Sequence, residues 1–194
     1  QLKDQKDVIQ DIQLLSSQVE RCNEILKKLS LDPNQEDEFI DEDLAIKDYL
    51  RDIISSFKET SNKKFILNLN QDLNSKKITK SIEIVYGLRN FIGNANKFSL
   101  NKIYINLKSN ENFTEIIISD DGSGYPNDIL SKIGEPYLKS LKLKDKEKSG
   151  LGLGLFIGKT LLEKNFAKLI FRNSESTGGA EVTIRWKNRD LFNL

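Results

Sequence analysis

Apolar side chains recur at helical spacing through the first 30 residues of the chain. Successive apolar positions are separated alternately by four and three residues, which is a heptad repeat. These positions are Val8, Ile12, Leu15, Val19, Cys22, Leu26 and Leu29. Residues 1–30 are therefore predicted to form one helix that packs against a partner helix. Residues 31–43 contain Pro33 and an acidic run, and this composition predicts a linker.

Residues 44–194 are predicted to form one domain that begins with a helix. Asp43 can cap this helix, and apolar residues follow it at helical spacing. The predicted buried stripe consists of Ile46, Leu50, Ile53, Ile54 and Phe57. Apolar and polar residues then alternate over 65–69, which predicts a strand, and a second helix is predicted from about Ser81 to Phe98.

The second half of this domain predicts mostly strands. The predicted strands are 103–107, 116–118, 167–172 and 182–186. Residues 125–149 show little periodicity, which is typical of a long functional loop, and residues 150–164 predict a helix. Strands with helices segregated between them indicate an α+β fold, an α/β sandwich with helices on one face of a mainly antiparallel sheet.

Composition excludes several classes of function. The 30 Lys and Arg residues nearly balance the 29 Asp and Glu residues, so we expect no nucleic-acid partner. The chain has no histidine, which excludes a Ser-His-Asp triad and a phosphorylated histidine within it. A single cysteine cannot form an internal disulfide. Because the chain opens with Gln in the middle of a heptad pattern, we expect it to be part of a longer protein.

One face of the second predicted helix carries polar residues suited to a charged ligand. Asn90, Asn94 and Lys97 fall within about 60° of one another at 100° per residue. The opposite face, which is predicted to meet the core, consists of Val85, Leu88, Ile92 and Ala95. An amide oxygen is a neutral ligand for Mg²⁺, and lysine can neutralise a phosphate. Taken alone, however, this face fits a solvated surface better.

A second motif is the sequence Asp-Asp-Gly-Ser-Gly at 120–124, directly after a predicted buried strand. Gly122 and Gly124 let the backbone turn tightly beside a flat ligand, and the Asp120 carboxylate can accept a hydrogen bond from an exocyclic amine. The alternative is an ordinary Asp-Gly turn at the end of a strand.

A third motif is the run of glycines at Gly150, Gly152 and Gly154. A Walker A loop is excluded because Leu153 stands where that motif requires its first glycine, and the G-x-G-x-x-G pattern also fails. A glycine-rich entry to a helix remains, and its free amides suit phosphate. The alternative is close packing of small residues.

In this order, the three motifs resemble the N, G1 and G2 boxes of the Bergerat-fold ATPases, which include histidine kinases, gyrases and mismatch-repair ATPases. Residues 134–137, Gly-Glu-Pro-Tyr, are similar to the F box of the histidine kinase lid. The resemblance covers about 43–187. Residues 1–30 are similar to the second helix of the dimerisation and phosphotransfer hairpin, and 44–194 would be the ATP-binding catalytic domain.

The resemblance implies ATP and Mg²⁺ as ligands and assigns a role to each motif. Asp120 would bind the adenine amino group, with Gly122 and Gly124 shaping the base pocket. Asn94 would bind Mg²⁺, and Asn90 and Lys97 would contact phosphates. The backbone of Gly150, Gly152 and Gly154 would surround the phosphates. The lid lysines that could close over them are Lys139, Lys142, Lys144, Lys146 and Lys148.

The same resemblance implies the reaction and the partners. Gyrases and mismatch-repair ATPases have a catalytic glutamate where this chain has Asn90, which cannot accept a proton, so water-directed hydrolysis is poorly supported. The acceptor would be a histidine on a first helix outside this chain, and the next acceptor an aspartate of a response regulator. The longer protein would dimerise through its amino-terminal helices as a membrane-anchored bacterial kinase with this domain in the cytoplasm. The alternatives are a water-directed ATPase of this fold and a non-catalytic nucleotide-binding or dimerisation module.

A narrower resemblance is to the RegB-type redox-responsive sensor kinases. It rests on residues 18–22, Gln-Val-Glu-Arg-Cys, on residues 134–137, and on the sequence from Gly150 to Glu163. These kinases carry a redox-active cysteine in the corresponding helix, which makes Cys22 a redox candidate, and Arg21 could lower the pKa of its thiol. Packing in the heptad stripe is the alternative role for Cys22. Lys97 departs from the acidic residue common in RegB-type kinases.

Overall fold

The computed structural model describes residues 44–70, 77–78, 81–135 and 153–192. Several predicted features lie outside these ranges: the amino-terminal helix with Cys22, the linker 31–43, the lid lysines, Gly150 and Gly152. The predicted cap at Asp43 is wrong, because the first helix of the domain begins after Ala45, which makes no side-chain capping hydrogen bond. The helices are α1 (Ile46–Lys58), α2 (Ile82–Phe98), α3 (Asn127–Leu130), α4 (Leu153–Lys164) and α5 (Asn188–Leu191). The strands are β1 (Leu44–Ala45), β2 (Lys64–Leu69), β3 (Lys77–Ile78), β4 (Lys102–Ser109), β5 (Phe113–Asp120), β6 (Lys168–Asn173) and β7 (Ala180–Lys187).

Five strands form the main sheet, in the order β2-β4-β5-β7-β6. Strands β2 and β4 run parallel, and the other three neighbouring pairs are antiparallel, so the predicted mainly antiparallel sheet is confirmed. Parallel strands need a long crossover connection, and the segment between β2 and β4 contains α2. The helix that carries Asn90 and Asn94 is therefore part of the crossover between the edge strand β2 and its neighbour β4.

One face of the sheet is buried and the other is polar. Along β4, Ile103, Ile105 and Leu107 are buried, while the residues between them are only partly covered. The opposite face carries pairs of polar side chains, such as Arg185 with Glu115, in which Nε lies 2.6 Å from Oε2. This alternation is the pattern of a sheet covered by helices on one side only.

Helices α2 and α4 pack closely because glycines lie at their contact. Helix α2 is capped by Ser81, whose Oγ accepts a hydrogen bond from the Ile84 amide at 3.3 Å. Its contact with α4 is made at glycines. A Cβ atom on Gly87 of α2 would lie 2.5 Å from Cγ of Leu162, a buried residue of α4. The core side of α2 contains three of the four predicted residues, Leu88, Ile92 and Ala95, and the fourth, Val85, is partly buried against the core.

Candidate functional site

The polar face of α2 meets the first turn of α4. A Cβ atom on Gly154 would lie 3.6 Å from Asn90 Oδ1 and 3.6 Å from Asn94 Nδ2. The motif on α2 and the last glycine of the third motif are therefore neighbours, although 60 residues separate Asn94 from Gly154 in the sequence. Because Gly154 has no side chain, both amides face the amino-terminal end of α4, where free backbone N–H groups and the helix dipole favour an anion.

The Asn94 amide has an unmet hydrogen-bonding group. Its Nδ2 atom is buried and makes no hydrogen bond to any residue that the structure describes. Asn90 differs, because its Nδ2 donates to the carbonyl of Tyr86 at 2.9 Å, which fixes the direction of its side chain. A buried donor without a partner costs free energy, so a ligand with acceptor oxygens such as a phosphate would complete the Asn94 site. A neutral amide oxygen is also a suitable ligand for Mg²⁺.

Lys97 lies in the last turn of α2 and is exposed. Its Nζ lies 5.5 Å from the centre of the Phe98 ring, within the range of a cation–π interaction. Lys97 is therefore an exposed cation beside Phe98 at the carboxyl-terminal end of α2.

Asp120 is the last residue of β5, and its side chain is only 3% exposed. Its Oδ1 accepts hydrogen bonds from the amides of Gly122 at 2.8 Å and Ala180 at 3.3 Å. Burial raises the pKa of this carboxyl group, while the two amides act in the opposite direction. The turn is also pressed against α2, because a Cβ atom on Gly122 would collide with the carbonyl oxygen of Phe98.

Two further residues beside Asp120 were missed by the sequence analysis. A Cβ atom on Gly179 would collide with the backbone of Asp120, so only glycine fits there. Ala180 follows it and donates its amide to the carboxylate. The Gly178-Gly179 pair before a predicted strand was the available signal, but the sequence could not show which turn it would meet.

Gly124 closes the second motif in a backbone conformation that favours glycine, with φ +75°. Asn173, at the end of β6, contacts the same turn: its Oδ1 accepts from the Tyr125 amide at 2.6 Å. Asn173 was also missed, because it stands 48 residues from Tyr125. Burial raises the pKa of the Tyr125 hydroxyl, and the negative charges of Asp120 and Glu181 raise it further.

Asp121 has a different environment from its neighbour. Its carboxylate accepts hydrogen bonds from three consecutive backbone amides, those of Leu100, Asn101 and Lys102, at 2.8 to 3.1 Å. Burial acts to raise the pKa of Asp121, but these hydrogen bonds outweigh it and the pKa is lowered. Asp121 therefore stabilises the connection between α2 and β4.

The long loop that starts at Tyr125 packs against α4 where the structure describes it. Ile133 is buried, and Gly134 has φ +92°. A Cβ atom on Gly134 would collide with the side chain of Lys159 on α4. The first part of the predicted lid thus packs against α4, the helix whose first turn faces Asn90 and Asn94.

None of the helices described is long and apolar enough to cross a membrane. No group of three or more His, Cys, Asp and Glu residues is placed to hold a metal ion within the described ranges.

Comparison with known families gives a match over residues 79–190. The matching model is that of the histidine kinase-, DNA gyrase B- and HSP90-like ATPases. The matched region includes α2, the turn after β5, α4 and the whole of β7. It therefore contains the motifs at residues 90–97, 120–124, 134–137 and 150–154.

Curated relatives are sensor kinases. The chain is 30% identical over 182 residues to sensor histidine kinase RegB of Cereibacter sphaeroides, a match that covers 90% of this chain and 39% of the relative. It is 39% identical over 62 residues to sensor protein kinase PilS of Pseudomonas aeruginosa, covering 32% of this chain and 11% of the relative. The chain therefore spans about two fifths of the length of RegB.

Solved structures share the fold at low sequence identity. The mycobacterial sensor histidine kinase MprB matches with a TM-score of 0.63 and 17% identity, covering 73% of this chain and 95% of that one. Full-length ShkA in complex with AMPPNP matches with a TM-score of 0.62 and 19% identity, covering 75% of this chain and 30% of that one. Both comparisons support the Bergerat-type sandwich predicted from the sequence.

Proposed function

Because this chain belongs to the family of histidine kinase-, DNA gyrase B- and HSP90-like ATPases, we propose that it binds Mg-ATP and transfers the γ-phosphoryl group to a histidine of another helix. It is a catalytic domain homologous to those of sensor histidine kinases. The observation that carries the proposal is the contact of Gly154 with Asn90 and Asn94, which brings a polar helix face to an anion-binding helix end.

The adenine is bound at the turn after β5. The Asp120 carboxylate accepts a hydrogen bond from the exocyclic amine, and its orientation is fixed by the amides of Gly122 and Ala180. Burial increases the strength of this hydrogen bond, because water competes less for the carboxylate. Gly122 and Gly124 let this turn approach Phe98 and Asn173 closely, and in this way they shape the pocket for the base.

The phosphates are bound between α2 and α4. Asn94 would hold Mg²⁺ through its Oδ1, and its unmet Nδ2 would donate to a phosphate oxygen. The second N–H of Asn90 Nδ2 and the ammonium group of Lys97 would also contact phosphate oxygens. The backbone of Gly150, Gly152 and Gly154 would surround the triphosphate. When bound, Mg²⁺ neutralises negative charge on the phosphates. Lysines of the lid close over this end of the nucleotide.

Transfer to histidine is favoured over hydrolysis by the residue at position 90. Its side chain is an amide whose Nδ2 is already committed to the Tyr86 carbonyl. An amide cannot remove a proton from water, so the site has no general base at the place where water-directed members of the fold carry one. A water-directed ATPase would turn over ATP in isolation, whereas a non-catalytic module would bind nucleotide without any transfer.

The longer protein is proposed to be a homodimeric sensor kinase that phosphorylates an aspartate of a response regulator. The heptad positions of residues 1–30 supply the dimer contact, and the similarity to RegB supports a redox-responsive kinase with Cys22 as the responsive thiol. The use of ATP supports a cytoplasmic location for this domain.

Calorimetry with Mg-ADP tests the nucleotide site directly. Wild-type protein should bind Mg-ADP, and removal of Mg²⁺ with EDTA should weaken binding. Asp120→Asn should weaken it by about 1–3 kcal/mol, because a buried charged hydrogen bond to adenine is lost. Asp52→Asn, at an exposed position of α1, is the matched control and should bind as wild type does. Unchanged affinity in Asp120→Asn would remove Asp120 from the adenine site.

A further inference from the structure

The end of the β6–β7 ladder contacts both ends of the turn formed by residues 120–125. Asn173 and Ala180 are the last register partners of this ladder and face each other across it. Ala180 donates its amide to Asp120 at the start of the turn, and Asn173 bonds to Tyr125 at its end. The β6–β7 pair therefore fixes both ends of residues 120–125, which we call the adenine turn.

The Asn173 side chain makes two hydrogen bonds to a single residue. Its Oδ1 accepts from the Tyr125 amide at 2.6 Å, and its Nδ2 donates to the Tyr125 carbonyl at 3.0 Å. A carboxamide is suited to this pairing because it presents a donor and an acceptor side by side. Aspartate would keep the acceptor and lose the donor, and alanine would lose both.

The glycine before Tyr125 allows this close approach. A Cβ atom on Gly124 would lie 2.7 Å from Asn173 Oδ1, closer than real Cβ atoms come to such a neighbour. Gly124 also has φ +75°. The position thus requires glycine both for its backbone conformation and for contact with Asn173.

The ring of Tyr125 is held by the same strand. It meets Phe171 edge to face, with ring centres 6.2 Å apart, and Phe171 in turn lies 5.9 Å from Phe91. Phe91 follows Asn90 on α2. Strand β6 therefore connects the adenine turn to the helix that carries the phosphate-binding amides.

We propose that Asn173 is a positioning residue of the nucleotide site, which clamps Gly124 and Tyr125 and thereby fixes the turn that presents Asp120 to adenine. The inference rests on the proposed function, since it assigns Asn173 to that same site. As a positioning residue, Asn173 acts through the backbone of this turn. It acts on selectivity for the base, because both of these side-chain hydrogen bonds are made to the turn that presents Asp120.

The test compares Mg-ADP with Mg-IDP, whose base has a carbonyl in place of the amine. Titration calorimetry, by displacement for the weaker ligand, gives both affinities for each variant. Asn173→Ala should weaken Mg-ADP binding by about fivefold to tenfold, the size expected for two partly exposed hydrogen bonds, and leave Mg-IDP nearly unchanged. The preference of Asn173→Ala for Mg-ADP over Mg-IDP should therefore fall by the same factor.

Two variants control for other effects. Asn173→Asp keeps the acceptor for the Tyr125 amide and should restore part of the ADP preference. Asn68→Ala removes another strand asparagine, whose Nδ2 bonds to Asn106 Oδ1 at 2.8 Å, and should leave both affinities at the wild-type values.

Three results have distinct meanings. If Asn173→Ala keeps the wild-type preference, the positioning role is wrong. If it loses ADP and IDP binding equally, together with a lower unfolding temperature, Asn173 is only a stabilising residue and the inference is also overturned. If the wild-type protein binds neither nucleotide, the proposed function itself fails.

Discussion

Asp120 and Asp121 are adjacent in sequence and opposite in environment. The Asp120 carboxyl is buried, which raises its pKa, while the Asp121 carboxylate is held by three backbone amides that lower its pKa. The turn at the end of β5 sends the first side chain into the site and the second toward the α2–β4 connection. Asp120 is therefore the candidate for binding a ligand, and Asp121 stabilises the connection between α2 and β4.

Asp121→Asn should destabilise the protein by about 1–2 kcal/mol at neutral pH, since charged acceptors make stronger hydrogen bonds than amides. The folded-state pKa of Asp121 lies below the unfolded value. Its stabilisation is thus fully present above the unfolded pKa, about 3.9, and is lost as pH falls through the folded pKa. Urea unfolding of both proteins at a series of pH values measures this difference.

The difference in the free energy of unfolding between wild type and Asp121→Asn should become smaller as pH falls below about 4. The raised pKa of Asp120 makes its contribution to stability fall as pH rises, which is the opposite of Asp121. Asp120 is present in both proteins, so its contribution cancels in the difference. Asp52→Asn on the exposed face of α1 serves as the control and should show no comparable gap. A constant gap from neutral to acid pH would contradict the role given to the Asp121 carboxylate.

The residues of the candidate site could be predicted from the sequence where they lie close together in the chain. Asn90, Asn94 and Lys97 share one helix, so their spacing alone predicts a common face. Asn173 and Gly179 could not be found in this way, because they reach the site through strand pairing across more than 45 residues. The contacts that support a motif are set by the register of the sheet, which single-sequence patterns do not specify.

At the scale of elements, the site depends on how closely α2 and α4 approach. Gly87 and Gly158 lie at the contact between these helices, while Gly154 faces Asn90 and Asn94 one turn away. A glycine in either helix is therefore either a packing residue or a site residue, depending on what its missing side chain would meet.

Gly87→Ala should destabilise the fold by about 1–3 kcal/mol, because the added Cβ would lie 2.5 Å from the buried Leu162 side chain. Gly154→Ala is its matched control, since its Cβ would make ordinary contacts at 3.6 Å and alanine favours helix. Gly154→Ala should keep its stability and lose affinity for Mg-ADP. Chemical unfolding and calorimetry on both variants separate the effects, and equal stability loss in the two would refute the distinction.

The pattern of apolar residues predicted most elements close to their observed bounds. The helix expected from about Ser81 to Phe98 is α2, Ile82–Phe98, and the strands expected at 103–107 and 116–118 are β4 and β5, which pair with each other. The parallel pairing of β2 with β4 was not predicted, because alternation shows that a strand has one buried face but not which strand lies beside it. The short β1, β3, α3 and α5 have too few residues for a periodic signal.

At the scale of the whole molecule, the heptad positions of residues 1–30 predict a dimer, and Cys22 lies on that stripe. A protein that contains the complete helical hairpin should form a disulfide-linked dimer under mild oxidant, because a residue near a twofold axis can bring two thiols within bonding distance. Thiol reductant should reverse the link and Cys22→Ala should abolish it on a non-reducing gel. A protein that stays monomeric there, with kinase activity indifferent to oxidation, would leave Cys22 a packing residue.

Phosphoryl transfer to a separate helix is the most direct test of the account. The chain contains no histidine, so incubation alone with γ-labelled ATP should leave it without stable label. Addition of a separate helical hairpin that carries the acceptor histidine should place acid-labile label on the hairpin. Acid-stable label on this chain, or release of free phosphate with an unlabelled hairpin, would contradict the assignment as a histidine kinase domain.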